Sequence, residues 1–170
     1  MANDIKPAKP AKIEIKLHNG ETKSLAPDDK ICVLRNTTIG DKSDPVPHKG
    51  TQFYHHGDAG TLTLGPGCTY TTAGKLAAFE GHWLLKMQRE AGEVLVFESA
   101  AALLDKPTAE LRRIFEITQH GEVLREWEAA ERKRATPRTN LLAQLHERIR
   151  LWGNWAPVQV STISQAAATG

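Results

Sequence analysis

The spacing of apolar residues changes once along this chain, near residue 98, and that change limits the folds it can adopt. Before this point apolar and polar residues alternate, as they do over 13–17, with the period of a strand. Nine of the thirteen glycines fall within 40–92, where they mark turns rather than helices. After Ser99 the apolar residues recur three and four apart, as in a helix. The sequence therefore predicts an α+β fold: a mostly antiparallel, β-rich body over about 13–97, then two or three α-helices over about 99–152.

Two hairpins are predicted within the β-rich body. Asn19-Gly20, the strongest short hairpin signal, joins the first two predicted strands. The polar segment 89–93 is predicted to join the last two in the same way. Lys75–Glu80 also fits a short helix. The predicted strands lie at 13–17, 21–25, 31–34, 61–64, 82–87 and 94–97.

Proline and glycine set the limits of the other predicted elements. The loop Asp41–Gly50 contains two prolines in close succession and so cannot continue a central strand. Pro107 suits the first turn of a helix, whereas Gly121 either breaks the helical stripe that follows or is tolerated within it. Gly153 is placed to end the last helix. The apolar stripes predicted to face the core are Leu111, Ile114, Phe115, Val123, Leu124, Trp127, Leu141, Leu142, Leu145, Ile149 and Trp152.

The two ends of the chain differ in composition from the body between them. Residues 1–12 form a Lys/Pro/Ala arm, in which proline favours extended chain over helix. Residues 156–170 carry no charged side chain and alternate at Val158 and Val160, which suits an added edge strand on this or a neighbouring molecule. Each end has too little apolar surface to order itself, so each is either a solvated tail or an arm on a partner. The body, 13–155, is predicted to be a single domain.

Three histidines and an aspartate form the best candidate metal site: His48, His55, His56 and Asp58. Imidazole and carboxylate groups suit zinc, iron, nickel or manganese, provided that three or four of them converge at about 2.0–2.2 Å. Adjacent His55 and His56 point to opposite faces of a strand, so both reach one ion only if Gly57 turns the backbone. The alternative is a polar loop whose histidines form local hydrogen bonds. We predict no metal and no other cofactor.

A basic cluster precedes the last helical stripe and consists of Arg132, Lys133, Arg134 and Arg138. Such a cluster can neutralise phosphate groups. Glutamates are interleaved with it, however, and the net charge of the chain is only +2, from 22 basic and 20 acidic side chains. No aromatic RNA-binding motif accompanies the cluster. A salt-bridged helix surface is favoured, and nucleic-acid binding is kept as an alternative.

Several protein classes find no support in the sequence. No apolar run approaches the ~20 residues of a membrane span, and the first residues lack the basic and apolar parts of a secretory signal. There is no phosphate-binding or dinucleotide-binding glycine pattern and no Gly-x-Ser-x-Gly nucleophile turn. Cys32 and Cys68 are predicted to be reduced, partly buried thiols, because two cysteines neither build a disulfide framework nor match a paired zinc knuckle.

This organisation favours a non-enzymatic structural protein over an enzyme. Extended arms on a compact body, without a catalytic motif, are typical of subunits of large assemblies, and the analogy is with head, tail or baseplate proteins of virus and phage particles. We therefore expect a virion component assembled in the host cytoplasm, or otherwise a cytoplasmic protein. Its expected partners are copies of itself or other subunits, and not a membrane. Trp155 either packs in the core or anchors a partner. The expected partner-binding residues are Lys6, Pro7, Lys9, Pro10, Trp155, Val158 and Val160, together with the loop 41–50. A small metal-dependent enzyme using the histidine group and a nucleic-acid-binding adaptor using the basic cluster are the alternatives.

Overall fold

The computed structural model describes residues 11–38 and 45–157, and it confirms the predicted α+β class. The strands are β1 (Ile13–Lys16), β2 (Thr22–Leu25), β3 (Lys30–Thr38), β4 (Pro45–Pro47), β5 (Gln52–His55), β6 (Thr61–Leu64), β7 (Cys68–Thr72) and β8 (Val94–Phe97). The helices are α1 (Ala73–Ala78), α2 (Trp83–Glu90), α3 (Thr108–Ile117), α4 (Gly121–Arg132) and α5 (Thr139–Trp152). Short 3-10 turns occur at Gly57–Ala59 and Ala100–Asp105.

The long strand β3 is the centre of the main sheet. It pairs antiparallel with β7 on one side and with β8 on the other. Beyond β7, the same side of β3 pairs with β4, so part of the loop predicted at 41–50 is a short edge strand. The two prolines of β4 are tolerated there because an edge strand has one side without ladder hydrogen bonds. The hairpins β1–β2 and β5–β6 form two separate two-stranded sheets.

Both faces of β3 are buried, and each face belongs to a different hydrophobic core. Cys32 and Leu34 point into a core shared with the C-terminal helices, which we call the helical core. Ile31 and Val33 point the opposite way, into a core closed by the two small hairpins, α1 and α2, which we call the hairpin core. This arrangement gives the described residues three layers: helices, central sheet, and hairpins with short helices.

The C-terminal helices follow the predicted stripes. Trp127 of α4 is fully buried, and its indole Nε1 donates a hydrogen bond to the carbonyl oxygen of Ala100 at 2.6 Å. Leu141 and Leu145 are the buried positions of α5, and this helix ends at Gly153 as predicted. Among the helices of residues 11–38 and 45–157, none is both long and apolar enough to cross a membrane.

The second predicted hairpin is wrong, because residues Trp83–Glu90 form helix α2 instead of a strand. The apolar run at its start is too short for periodicity to separate strand from helix. The residues that follow, Leu-Leu-Lys-Met-Gln-Arg-Glu, are strong helix formers, and Leu85 is buried in the hairpin core. The Nδ1 atom of His82 accepts a hydrogen bond from the Leu85 amide at 3.4 Å and caps the helix. The short helix allowed at Lys75–Glu80 is present as α1.

Candidate functional site

The adjacent histidines of the candidate metal group point to different places. At the end of β5, the Nδ1 atom of His55 lies 2.9 Å from Thr61 Oγ1 across the β5–β6 hairpin. The His56 ring instead packs against Phe79 and His82, at 5.9 and 5.8 Å between ring centroids. Each histidine therefore has its own local contacts, on its own side of the chain.

His48 and Asp58 do not bring the group together. His48 lies just after β4, where its Nδ1 atom accepts a hydrogen bond from the Gly50 amide at 3.4 Å. Burial, and then the nearby charge of Arg35, lower the pKa of His48. Asp58 is exposed in the 3-10 turn after β5. Within residues 11–38 and 45–157, no group of three or more His, Cys, Asp or Glu side chains is arranged to hold a metal ion.

The basic cluster is largely paired with glutamates of α4. Arg132 forms an ion pair with Glu128 at 2.6 Å. Arg138 and Arg134 both reach the buried carboxylate of Glu131, at 2.8 and 3.7 Å. Lys133 is exposed where α4 ends. Three of the four basic side chains are thus paired with carboxylates, which is the salt-bridged surface that the sequence favoured.

The two cysteines are buried in the helical core as free thiols. Burial, and then the hydrogen bond that the Cys68 thiol donates to Cys32, raise the pKa of Cys68 well above its ordinary value. A thiol in this state is protonated at neutral pH and is not a nucleophile. The sequence predicted partial burial, whereas both side chains have no exposed surface.

Trp155 is half-buried against the body of the protein. Its ring lies so close to Gly65 that a Cβ atom on that residue would stand 2.9 Å from it. Its carbonyl oxygen accepts a hydrogen bond from the Gly121 amide at 2.9 Å. The other predicted partner-binding residues, Lys6, Pro7, Lys9, Pro10, Val158 and Val160, lie outside the described residues.

The exposed face of α2 is the first element of a candidate binding surface. Trp83 is 71% exposed and Met87, one helical turn later, is 53% exposed. Side chains four apart lie next to each other on a helix, so the two form one apolar patch. Tryptophan and methionine are enriched at protein interfaces. The four-residue spacing of this pair was the sequence signal for the patch, and the prediction of a strand over 82–87 obscured it.

A groove of about 770 Å³ runs beside this patch, between α2, β8 and the turn that joins β1 to β2. Lys86 and Glu90 line it, and each lies three residues from a member of the patch, so the patch and the groove share an edge. We call the two together the α2 surface. Arg89 forms part of the groove wall and donates a hydrogen bond to the Lys16 carbonyl oxygen at 2.8 Å. Burial lowers the pKa of Arg89, and the charge of Glu80 counters this in part.

The outer edge of β8 faces the groove. The Asn36 amide donates to the Glu93 carbonyl, so the backbone groups of Glu93, Leu95 and Phe97 point toward β3. Those of Val94 and Val96 consequently point outward. The Val96 carbonyl accepts a hydrogen bond from the His18 amide at 2.9 Å, and Val94 lines the groove. Because His18 already occupies the Val96 carbonyl, the outward backbone groups offered to an extended chain in the groove are those of Val94.

Neither a protein family, nor a characterised protein, nor a solved structure was found to match this chain.

Proposed function

We propose that this protein is a non-enzymatic structural subunit of a multi-subunit assembly, and that its α2 surface binds the segment 158–170 of a neighbouring copy. The observation that carries the proposal is the exposure of Trp83, at 71%, beside Met87 on one helix face. Burying a large apolar side chain is worth about 1.5–3 kcal/mol. A patch of this kind beside a groove is typical of an interaction site.

The charges in the groove favour an uncharged occupant over the N-terminal arm. Three cations line the groove against two carboxylates: Lys16, Lys86 and Arg89 against Glu80 and Glu90. The arm over 1–12 is itself cationic, so a groove lined by more cations than carboxylates does not attract it. Its prolines also lack the amide donors that strand pairing requires.

The segment 158–170 has the properties that the α2 surface requires. It carries no charged side chain and no proline, and Val158 and Val160 alternate as in a strand. An added strand could pair with the outward backbone groups of Val94 and place its apolar side chains toward Trp83. Attachment to a folded body raises the effective concentration of such a segment, so an individually weak contact suffices for assembly.

Two other functions have less support. The histidine group has separate local contacts, and most of the basic cluster is paired with glutamates. The sharper form of the structural hypothesis, a component of a virus or phage particle, rests on analogy of organisation and stays a prediction. Native mass spectrometry of the complex from its natural source tests it directly, through the partner masses and the subunit number.

The oligomeric state of the full chain tests the α2 surface. We expect the full chain to form oligomers at micromolar concentration in light scattering coupled to size exclusion. The double variant Trp83→Ser/Met87→Ser should weaken association by at least about tenfold. Leu151→Ser is the matched control, because Leu151 is as exposed as Met87, at 53%, but lies on α5. It should assemble normally.

A truncated chain tests the proposed occupant. A chain ending at residue 157 should remain folded but monomeric, and a peptide covering 156–170 should bind it with a blue shift of tryptophan emission. The Trp83→Ser/Met87→Ser variant of the truncated chain should not bind the peptide. A full chain that stays monomeric, or normal assembly by both the double variant and the truncated chain, would contradict the proposal.

A further inference from the structure

A second pocket, of about 280 Å³, lies where α1 and α4 meet the outer edge of β7. Its walls include Lys30, Tyr70, Thr71, Lys75, His120 and Glu122. These residues come from β3, β7, α1 and the start of α4, so the pocket is a product of the tertiary fold. None of them belongs to the α2 surface.

Two polar side chains of this pocket have no hydrogen-bond partner among the described residues. His120 is 5% exposed and its Nδ1 atom is unpaired, and Thr71 is 6% exposed with its Oγ1 atom unpaired. Buried polar groups are nearly always hydrogen-bonded, and those without a partner require an explanation. The His120 ring lies 5.9 Å from the Tyr70 ring between centroids, and its unpaired Nδ1 atom points to a polar ligand. Thr71 shares the opposite face of the sheet with its pairing partner Ile31.

The backbone of β7 adds a hydrogen-bond donor to the same place. The Arg35 amide donates to the Gly67 carbonyl, so the backbone groups of Gly67 point toward β3. Because backbone groups point to alternate sides along a strand, those of Cys68 and Tyr70 point away from β3. At Cys68 this outer edge is covered, because the amide donates to Thr118 Oγ1 at 3.2 Å. Tyr70, whose amide points outward one step further along the same edge, lines the pocket.

The charges around the pocket favour an anion. Lys30 and Lys75 supply two ammonium groups, and the single carboxylate in the wall, Glu122, forms an ion pair with Lys30. Lys75 donates one hydrogen bond, to the Ala59 carbonyl at 3.2 Å, and an ammonium group has three donors. The N-terminus of α4, which begins directly after His120, adds the positive end of a helix dipole.

We propose that this pocket binds a small organic monocarboxylate. Its carboxylate group would accept hydrogen bonds from the Lys75 ammonium, the Tyr70 amide and the His120 imidazole. The hydrocarbon part would pack on the aliphatic stems of the lysines. A phosphate dianion fits less well, because Glu122 lies in the wall and Glu126 binds the Tyr70 hydroxyl close by.

The protonation of His120 follows from the groups that face it. Burial, and then the charge of Lys30, lower the pKa of His120 to about 4, so the imidazole is neutral at neutral pH. Of the other groups that face the pocket, Lys75 and Glu122 carry opposite charges, and the Tyr70 hydroxyl donates to Glu126. A bound carboxylate would offset the lysines and raise the pKa of His120. Binding should therefore strengthen as the pH falls from 7 toward 5.

Calorimetric titration of the full chain with acetate, butyrate and benzoate, and separately with inorganic phosphate, tests the proposal. We expect one saturable site for at least one carboxylate, tighter at pH 5 than at pH 7. His120→Gln and Lys75→Met should each weaken it by at least about tenfold. Lys133→Met, which changes an exposed lysine at the other end of α4, is the control and should bind normally, as should Trp83→Ser.

A second readout separates binding from folding. The imidazole NMR signals of His120 should move on addition of the carboxylate, and their titration should show a higher pKa in the complex. Melting curves verify that each variant is folded, and Lys75→Met provides the test if His120→Gln is not. The proposal fails if no carboxylate saturates a site below about 10 mM. It also fails if phosphate binds in place of the carboxylates with the same dependence on His120.

Discussion

Glu131 has no exposed surface, and three hydrogen bonds from Arg138 stabilise its carboxylate in the charged form. The backbone amide, Nε and a terminal guanidinium nitrogen of Arg138 donate to it at 2.9, 2.9 and 2.8 Å. The same guanidinium group donates to the Leu104 carbonyl at 3.0 Å. This one arginine therefore joins the end of α4, the start of α5 and the 3-10 turn before α3. From the sequence, Arg138 was a candidate phosphate ligand. Its ion pair with Glu131 was not predicted, because a pair that forms across a turn leaves no local pattern in the sequence.

Replacing Glu131 by glutamine should lower the free energy of unfolding by about 3 kcal/mol, because it leaves a partly buried arginine without its counter-charge. Urea unfolding at pH 7 measures the loss. Glu128→Gln is the matched control on the same helix, and its cost should stay below about 1 kcal/mol because its partner Arg132 is exposed. Equal losses for the two variants would contradict this account.

The same substitution should alter the acid dependence of stability. The hydrogen bonds from Arg138, the largest cause, lower the pKa of Glu131 below its usual 4.5. The contribution of a carboxylate with a depressed pKa is complete above the unfolded value and is lost as the pH falls through the folded value. The stability difference between the wild type and Glu131→Gln should thus be constant from pH 5 to 8 and shrink below about pH 4.5.

An element was predicted correctly from the sequence when neighbouring residues determine its structure, and it was missed when distant contacts do. The β1–β2 hairpin is set by Asn19-Gly20 and an alternating pattern, and it was predicted from these alone. Helix α2 was missed because its short apolar start fits the period of a strand as well as that of a helix. The packing of Leu85 in the hairpin core selects the helix. The α2 surface was missed with it, since the exposure of Trp83 depends on that helix.

The pocket at His120 had no signal in the sequence. Three of its residues, Lys30, Tyr70 and Lys75, lie on separate elements, and His120 directly precedes α4. The pairing of β3 with β7 and the position of α4 bring them together. Strand order arises from tertiary packing, which no local pattern records. A site assembled by tertiary packing can be found only in the structure, whereas a site marked by a sequence motif can be predicted from the sequence.

The junction of α4 and α5 depends on a glycine at the first position of α4. A Cβ atom on Gly121 would lie 2.1 Å from the Gly153 carbonyl oxygen, where the chain returns after α5. Gly121→Ala should therefore cost more than about 2 kcal/mol and shift the emission of Trp155, because the 152–155 segment has to move. Thermal unfolding and fluorescence measure both effects.

Gly92→Ala is the control for that substitution. Gly92 has a φ of +79° but open space around its missing side chain, so only the backbone strain of about 1–2 kcal/mol is expected, without a change in Trp155 emission. If Gly121→Ala were no more harmful than Gly92→Ala, close packing of the two helices at this point would be refuted.

At the scale of the whole molecule, the two cores share one wall. Because Ile31 and Val33 face the hairpin core while Cys32 and Leu34 face the helical core, loss of either core exposes one side of β3. We expect the two cores to unfold in a single transition, as the prediction of one domain over 13–155 requires.

Leu76→Ala in the hairpin core and Leu111→Ala in the helical core test this coupling. Both leucines are fully buried, and each loss should cost about 2–5 kcal/mol. Hydrogen exchange followed by mass spectrometry should show that either variant reduces protection around both Tyr54 and Trp127. Leu151→Ala, on the surface, should change neither. Reduced protection confined to the mutated side would show that the cores unfold separately.

The position of β3 also constrains how the chain is made. β3 is synthesised before β7 and β8, its two neighbours in the sheet, and β8 follows only after β7, α1 and α2. Until residue 97 has left the exit tunnel, this apolar strand has an unpaired edge and neither core can close. The contacts that complete the sheet are distant in sequence, which slows folding. For the interval in which β3 waits for β8, this exposed edge of the nascent chain is available for pairing with another copy.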